Sequence, residues 1–306
     1  MRLERSELAV PASNWHMIEK GVSSAADVVF LDLEDSVAPD AKVPSRANVI
    51  RALAELDWGS KPHVFRMNAL DTPYFYRDLI DIVEASAVNL DFILVPKVNR
   101  PEDVYVIDTL LTQIEASSGA SRPIGLEVLI ETAEGLINCE RIARASPRVE
   151  SLVFGPGDYT ASLRIPAVSI GTPDAWDAAY PGHRFHYPMH RLLVAGRAAE
   201  IRVIDGPFAD FRDLDGFRRA CQLARSLGFD GKMCIHPAQC SIANEVFSPD
   251  EREIAWAARV VSEYEQATSA GRGSISIDGK MVDVASIKVA RNTLESAHAA
   301  GIINRP

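Results

Sequence analysis

The chain lacks the marks of a membrane protein, a disulfide scaffold or a nucleic-acid binder. No apolar run approaches the roughly 20 residues that a helix needs to cross a bilayer. Arg2, Glu4, Arg5 and Glu7 interrupt the start, so no signal peptide is expected. Cysteine is scarce: Cys139, Cys221, Cys234 and Cys240 are the only four in 306 residues, with no CxxC pair among them. That pattern argues against a thiolate zinc site and points to buried free thiols in a reducing cytoplasm. Basic residues are outnumbered 32 to 42 by acidic ones, and the resulting charge of −10 argues against nucleic acid or an anionic membrane as the main partner. A local basic patch for a phosphorylated ligand is still compatible with that balance. No glycine-rich phosphate turn follows the first apolar run, which disfavours a doubly wound dinucleotide fold.

What the chain does have is a repeated alternation of strand and helix. In the stretch Ile124 to Tyr159, the apolar runs IGLEVLIE and SLVFG bracket an amphipathic segment at 133–145. Each run ends in a carboxylate beside a break, Glu131 before TAEG and Asp158 after Gly155-Pro156-Gly157. Parallel neighbouring strands bring both acids to one end of a sheet, where they repel unless a cation lies between them. Oxygen ligands with room for water suit Mg²⁺ better than Zn²⁺. The same two residues also read as ordinary helix-start acids, Asp158 as a cap. Further apolar runs at 6–12, 28–35, 63–68, 92–98, 201–207 and 230–236 make eight strands. Helices are expected at 14–21, 42–56, 73–84, from Pro101 onward, 188–199, 213–227 and 238–246. Eight such units suggest an α/β fold, a (β/α)₈ TIM barrel spanning 1–246. Chemistry in that fold sits at the C-terminal strand ends, and here those ends are polar: Asp32, Glu34, Asp35, Arg66, Asn68, Lys97, Glu131, Asp158, Asp205 and His236. About half of these are expected to cap the next helix instead.

An insertion at 160–187 is long enough to wall a bulky substrate. His183, His186 and His190 within and beside it have ligand-like spacing, but their aromatic and proline neighbours suggest packing. From 247 to 306 the character changes to a helix, a hairpin turning at Asp278-Gly279 and a final helix over roughly 284–300. This extension is too small to fold alone and is expected to pack on the barrel or on that of a neighbouring subunit. Asp283 precedes the last helix and reads either as its N-cap or as a functional acid.

The motifs RSELAVPAS, VVFLDLEDSVAPDAK, VFRMN, ILVPKV, LEVLIETAEG, FGPGDY, DGPFADFRD, GFDGKMCIHPAQ and GKMVDVASIKVAR occur in this order. Together they resemble the HpcH/HpaI aldolase and citrate lyase β-subunit superfamily, in particular its malyl-CoA lyase branch. The resemblance implies a barrel whose C-terminal extension acts as a lid on a neighbouring subunit, in a homotrimer or a hexamer. It implies Mg²⁺ or Mn²⁺ and a carbon–carbon bond cleaved or formed beside a CoA thioester, CoA being part of the substrate. Malyl-CoA or β-methylmalyl-CoA, giving glyoxylate plus acetyl- or propionyl-CoA, is the implied reaction. Citryl-CoA or citramalyl-CoA lyase, a metal-dependent 2-keto-3-deoxy-acid aldolase and a non-enzymatic homologue are the competing readings. Carried onto this chain, the metal ligands are Glu131 and Asp158, the substrate arginine is Arg66, and the acid/base is Asp283. The resemblance also places Lys20 against CoA, and main-chain N–H groups around Gly155, Pro156, Gly157 and Asp158 are expected to bind the substrate carboxylate. Ala12 departs from the pattern, since glycine commonly follows that proline.

Overall fold

The computed structural model describes residues 2–180 and 182–304. The chain divides into two compact units, Glu4–Asn244 and the remainder at 2–3 and 245–304. In the first, eight parallel strands close into a barrel in strict chain order: β1 (Ser6–Pro11), β2 (Val28–Asp32), β3 (His63–Arg66), β4 (Phe92–Val95), β5 (Gly125–Ile130), β6 (Val149–Phe154), β7 (Arg202–Asp205) and β8 (Gly231–Cys234). Pairing of Glu7 with Met233 and of Leu8 with Cys234 closes the ring. The fold is the TIM barrel that the alternation predicted.

The helices are α1 (Trp15–Val22), α2 (Pro39–Glu55), α3 (Phe75–Ser86), α4 (Pro101–Ser118), α5 (Ala133–Ile142), α6 (Pro156–Ser162), α7 (His186–Ala198), α8 (Leu214–Leu227) and α9 (Pro237–Val246). Local chemistry sets their ends. Asn14, Thr132 and Asp213 each accept an N-terminal N–H, and proline opens α2, α4 and α6 where a missing N–H costs nothing. Gly119 and Gly228 end α4 and α8 in the left-handed conformation, at φ 73° and 112°. One helix was not expected. GPGDY reads as a break, yet it opens α6, because Gly155 and Pro156 are a permitted cap and first residue. The insertion beyond it is stapled by Arg184, whose guanidinium meets Asp177 at 2.9 Å and donates to the Pro166 carbonyl. Pro181 of that insertion lies outside the described residues.

Strand periodicity stacks the barrel lumen in layers. Side chains two apart face the same way, so Val28, Phe30, Val64, Phe92, Leu94, Leu129, Val153, Ile204 and Met233 form one buried apolar cluster. Stepping two residues towards the C-terminal ends gives Asp32, Arg66 and Glu131. Stepping two towards the N-terminal ends gives Glu127, Ser151 and Arg202, and on β1 Glu7 lies two before Ala9, which packs on the cluster. Glu7 and Glu127 are buried, and their ligand oxygens and those of Glu4 lie within 4.8 Å of one another. The charges that break up the start of the chain thus include two, Glu4 and Glu7, that the barrel encloses.

The second unit holds α10 (Glu251–Ser269), the hairpin β9 (Ile275–Ile277) and β10 (Lys280–Val282), and α11 (Val284–Ala299). Asp278 and Gly279 turn the hairpin with φ of 51° and 76°. Ala257, Val260, Ile277, Val282 and Ala290 form its small core. All four cysteines are free and buried, and burial pushes the Cys221 thiol up to about 12.

Candidate active site

Arg66 closes β3, and the lumen parity aims it across the barrel rim. Its Nε and Nη2 donate to the two oxygens of Asp32 at 2.7 and 2.8 Å, a bidentate pair with Asp32 fully buried. Burial alone would raise the Asp32 carboxyl, but the guanidinium beside it, with donors from Ser36 and the Glu34 N–H, holds it at about 2. Burial works against the charge on Arg66 too, and Asp32 outweighs it, so Arg66 stays a cation. The third nitrogen, Nη1, faces Glu34 Oε2 at 3.2 Å. A second network holds this corner from behind. Lys42 Nζ donates to the carbonyls of Leu33 and Glu34 and to Asn68 Oδ1, and Asn68 donates to Asp78, which pairs with Arg46. Asn68 is thus a strut rather than part of the site.

Glu131 follows β5 and is buried. Its Oε1 accepts the main-chain N–H of Lys97 at 2.8 Å. Lys97 lies just past β4 with φ 53°, a left-handed conformation that a lysine adopts at a cost. That conformation turns the main chain towards Glu131 while the side chain reaches other acids. Lys97 Nζ pairs with Glu34 Oε1, with Asp35 at 3.6 Å and with Asp158 Oδ2 at 3.2 Å. Burial, reinforced by Glu34 and partly countered by Arg66, pushes the Glu131 carboxyl up to about 8. Glu34 is likewise raised by burial. Five carboxyl groups thus face two cations, Arg66 and Lys97, and burial makes Glu131 hold its proton until a further cation joins them.

The glycine run beside these acids has a steric reason. A Cβ on Gly155 would lie 2.5 Å from Glu131 Oε2 and collide with its Cβ, so only glycine lets β6 pass this close. Gly155 then caps α6, placing Asp158 in the first turn. The structure thus gathers Arg66, Glu131, Asp158 and Gly155 at one rim. It also adds Asp32, Glu34 and Lys97, which the sequence showed only as charged strand ends. Asp205 does not join them. Its position is one residue out of lumen parity, so it faces outward and pairs with Lys232 at 2.5 Å between barrel and helices. His236 is exposed and stacks on Phe211 at 5.2 Å. His183, His186 and His190 pack as rings, His183 on Phe185 and His186 on His190. Lys20 is exposed in the last turn of α1. Asp283, in the second unit, caps α11 by accepting from Ala285 and Ser286 N–H.

The donor set fits a hard divalent cation. It is all oxygen, its carboxyl groups outnumber its cations, and an ammonium already bridges two of them. Glu4, Glu7 and Glu127 also cluster, but at the opposite end of the lumen. There, burial raises Glu7 well above the carboxylate range and Glu127 to about 8, and Arg202 pairs with Glu4.

Comparison with known proteins agrees with this architecture. The family model for HpcH/HpaI aldolase/citrate lyase matches residues 5–237. An L-malyl-CoA/beta-methylmalyl-CoA lyase of Cereibacter sphaeroides is 41% identical over 302 residues, covering 97% of this chain and 95% of that protein. A (3S)-malyl-CoA thioesterase of the same species is 37% identical, covering 96% and 95%. The crystal structure of CitE from Mycobacterium tuberculosis in complex with magnesium, acetoacetate and coenzyme A superposes with a TM-score of 0.76 at 27% identity, covering 97% of each chain. On these grounds the chain belongs to the HpcH/HpaI aldolase/citrate lyase family.

Proposed function

We propose that the chain is a divalent-metal-dependent carbon–carbon lyase that cleaves malyl-CoA or β-methylmalyl-CoA into glyoxylate and acetyl- or propionyl-CoA. The observation that carries this reading is the convergence of Glu131, Asp158 and Arg66 at one barrel rim, in a chain 41% identical to a lyase of that name. Glu131 and Asp158 would hold Mg²⁺ or Mn²⁺. When bound, the ion lowers the pKa of the substrate hydroxyl and polarises the emerging aldehyde.

The residues of the chain supply the rest. Arg66, kept charged and held by Asp32, stabilises negative charge as it develops on oxygen, worth about 3 kcal/mol when preorganised. Main-chain N–H groups in the stretch Gly155, Pro156, Gly157 and Asp158 are suited to the substrate carboxylate. Lys20 is suited to a CoA phosphate at the entrance. Asp283 exchanges the proton at the carbon next to the thioester. Its carboxyl is held below the usual range by the Ser286 and Ala285 N–H groups, so it stands ready as a base in the condensing direction. In cleavage the same group returns that proton. We further infer that Asp283 reaches the site of a neighbouring subunit in a homotrimer or hexamer, as a lid.

Incubating the protein with malyl-CoA, with and without Mg²⁺, tests the reaction. Metal-dependent release of glyoxylate and acetyl-CoA is expected, and release of malate with free CoA would mark a thioesterase instead. Glu131→Gln should abolish both turnover and Mn²⁺ binding.

A further inference from the structure

Resting on the metal-binding reading above, we propose that Lys97 is a resident counter-cation. Its ammonium holds the divalent ion's place against Asp158 and leaves that carboxylate when the ion binds.

Lys97 touches both proposed ligands by different parts of itself. Its main-chain N–H donates to Glu131 Oε1, and its ammonium lies 3.2 Å from Asp158 Oδ2. The main-chain contact requires the φ of 53°, a conformation glycine or asparagine adopts more easily than lysine. Either would keep the N–H on Glu131. A long basic side chain in that conformation, unlike either of these, also sends a flexible cation into the acids, so the cation is the part the strain retains.

The charge balance shows why a cation is needed there. Asp32, Glu34, Asp35, Glu131 and Asp158 stand at the rim, and two oxygens of Asp32 occupy two of the three nitrogens of Arg66. Without metal, Lys97 is the other positive group among them. A divalent ion held on Asp158 repels an ammonium at the same oxygen, and the ammonium has somewhere to go. Glu34 and Asp35 lie on its other side, and its side chain is 26% exposed. It also borders a cavity of about 250 Å³ together with Leu70, Asp71, Asn99 and Arg100. Lys97 is therefore a positioning residue whose attraction for Asp158 competes with metal.

The test is Mn²⁺ binding to the full chain, followed by electron paramagnetic resonance, in wild type, Lys97→Met, Lys97→Gln and Lys97→Arg. Removing the competitor should tighten Mn²⁺ by about tenfold in both neutral variants and leave the arginine variant near wild type. Metal-free Lys97→Met should melt below metal-free wild type, and saturating Mn²⁺ should raise its midpoint by the larger amount. Lys97→Gln keeps the test valid if the methionine variant does not fold. Equal or weaker Mn²⁺ binding in the neutral variants overturns the proposal while leaving the metal site intact. Absence of binding in wild type would instead remove the metal reading itself.

Discussion

Gly155 is the residue on which the geometry of the rim turns most sharply. In Gly155→Ala the added methyl group meets the Glu131 side chain, and either β6 or Glu131 has to move. Overpacking of this kind costs about 1–3 kcal/mol. The expected outcome is a lower urea midpoint together with Mn²⁺ affinity reduced at least tenfold in calorimetric titration. A loss of stability with unchanged affinity would show that the backbone gave way and Glu131 did not. That Glu131 and Asp158 meet at one rim was legible from the chain alone, because each ends an apolar run beside a break. The role of Lys97 was not legible. A left-handed lysine has no sequence signature, and its two contacts come from residues 34 and 61 positions away.

At the scale of elements, parity decided what could be foreseen. All eight strands follow from apolar runs bounded by turns, yet which charged residue at a strand end enters the lumen depends on a single-residue phase. Ile204 faces in, so Asp205 faces out to Lys232, although both acids at the ends of β5 and β7 look alike in sequence. The same phase puts Glu7 into the lumen, two residues before Ala9 on β1. Asp283 shows the ambiguity in its other form, since an N-cap and a catalytic carboxylate want the same residue. Substitution separates the two. Asp283→Ala should lose about 1 kcal/mol of helix capping along with turnover. Asp283→Ser keeps a capping oxygen, so it should melt near wild type and still fail to cleave malyl-CoA. Wild-type turnover in Asp283→Ser would remove the residue from the chemistry.

For the whole molecule, the barrel has acids at both ends of its lumen and a dry middle. Glu7 and Glu127 have folded-state pKa values raised above their unfolded ones, mainly by burial. The unfolded chain releases these protons near the ordinary carboxylate pKa, while the folded chain holds the Glu127 proton to about 8. The folded state therefore binds more protons across that window, and stability falls as pH rises from about 4.5 to 8. Glu127→Gln keeps the carbonyl that accepts from Ser151 and removes the titration. It should raise the melting midpoint by about 2 °C or more at pH 8 and by little at pH 4.5, read by scanning calorimetry. Subunit sharing has its own check. Mixing inactive Asp283→Ala and Arg66→Ala chains should recover part of the lyase activity, whereas no recovery would speak for a site completed within one chain.

The plug of valine, leucine, isoleucine, phenylalanine and methionine side chains between the two ends works as an insulator. None of these side chains carries a dissociable proton, so the layer they form relays none between the two sets of acids. Substitutions at the base of the barrel, such as Glu127→Gln, should thus move its melting curve and leave the acidity profile of turnover in place, so that durability and catalysis can be tuned on separate dials.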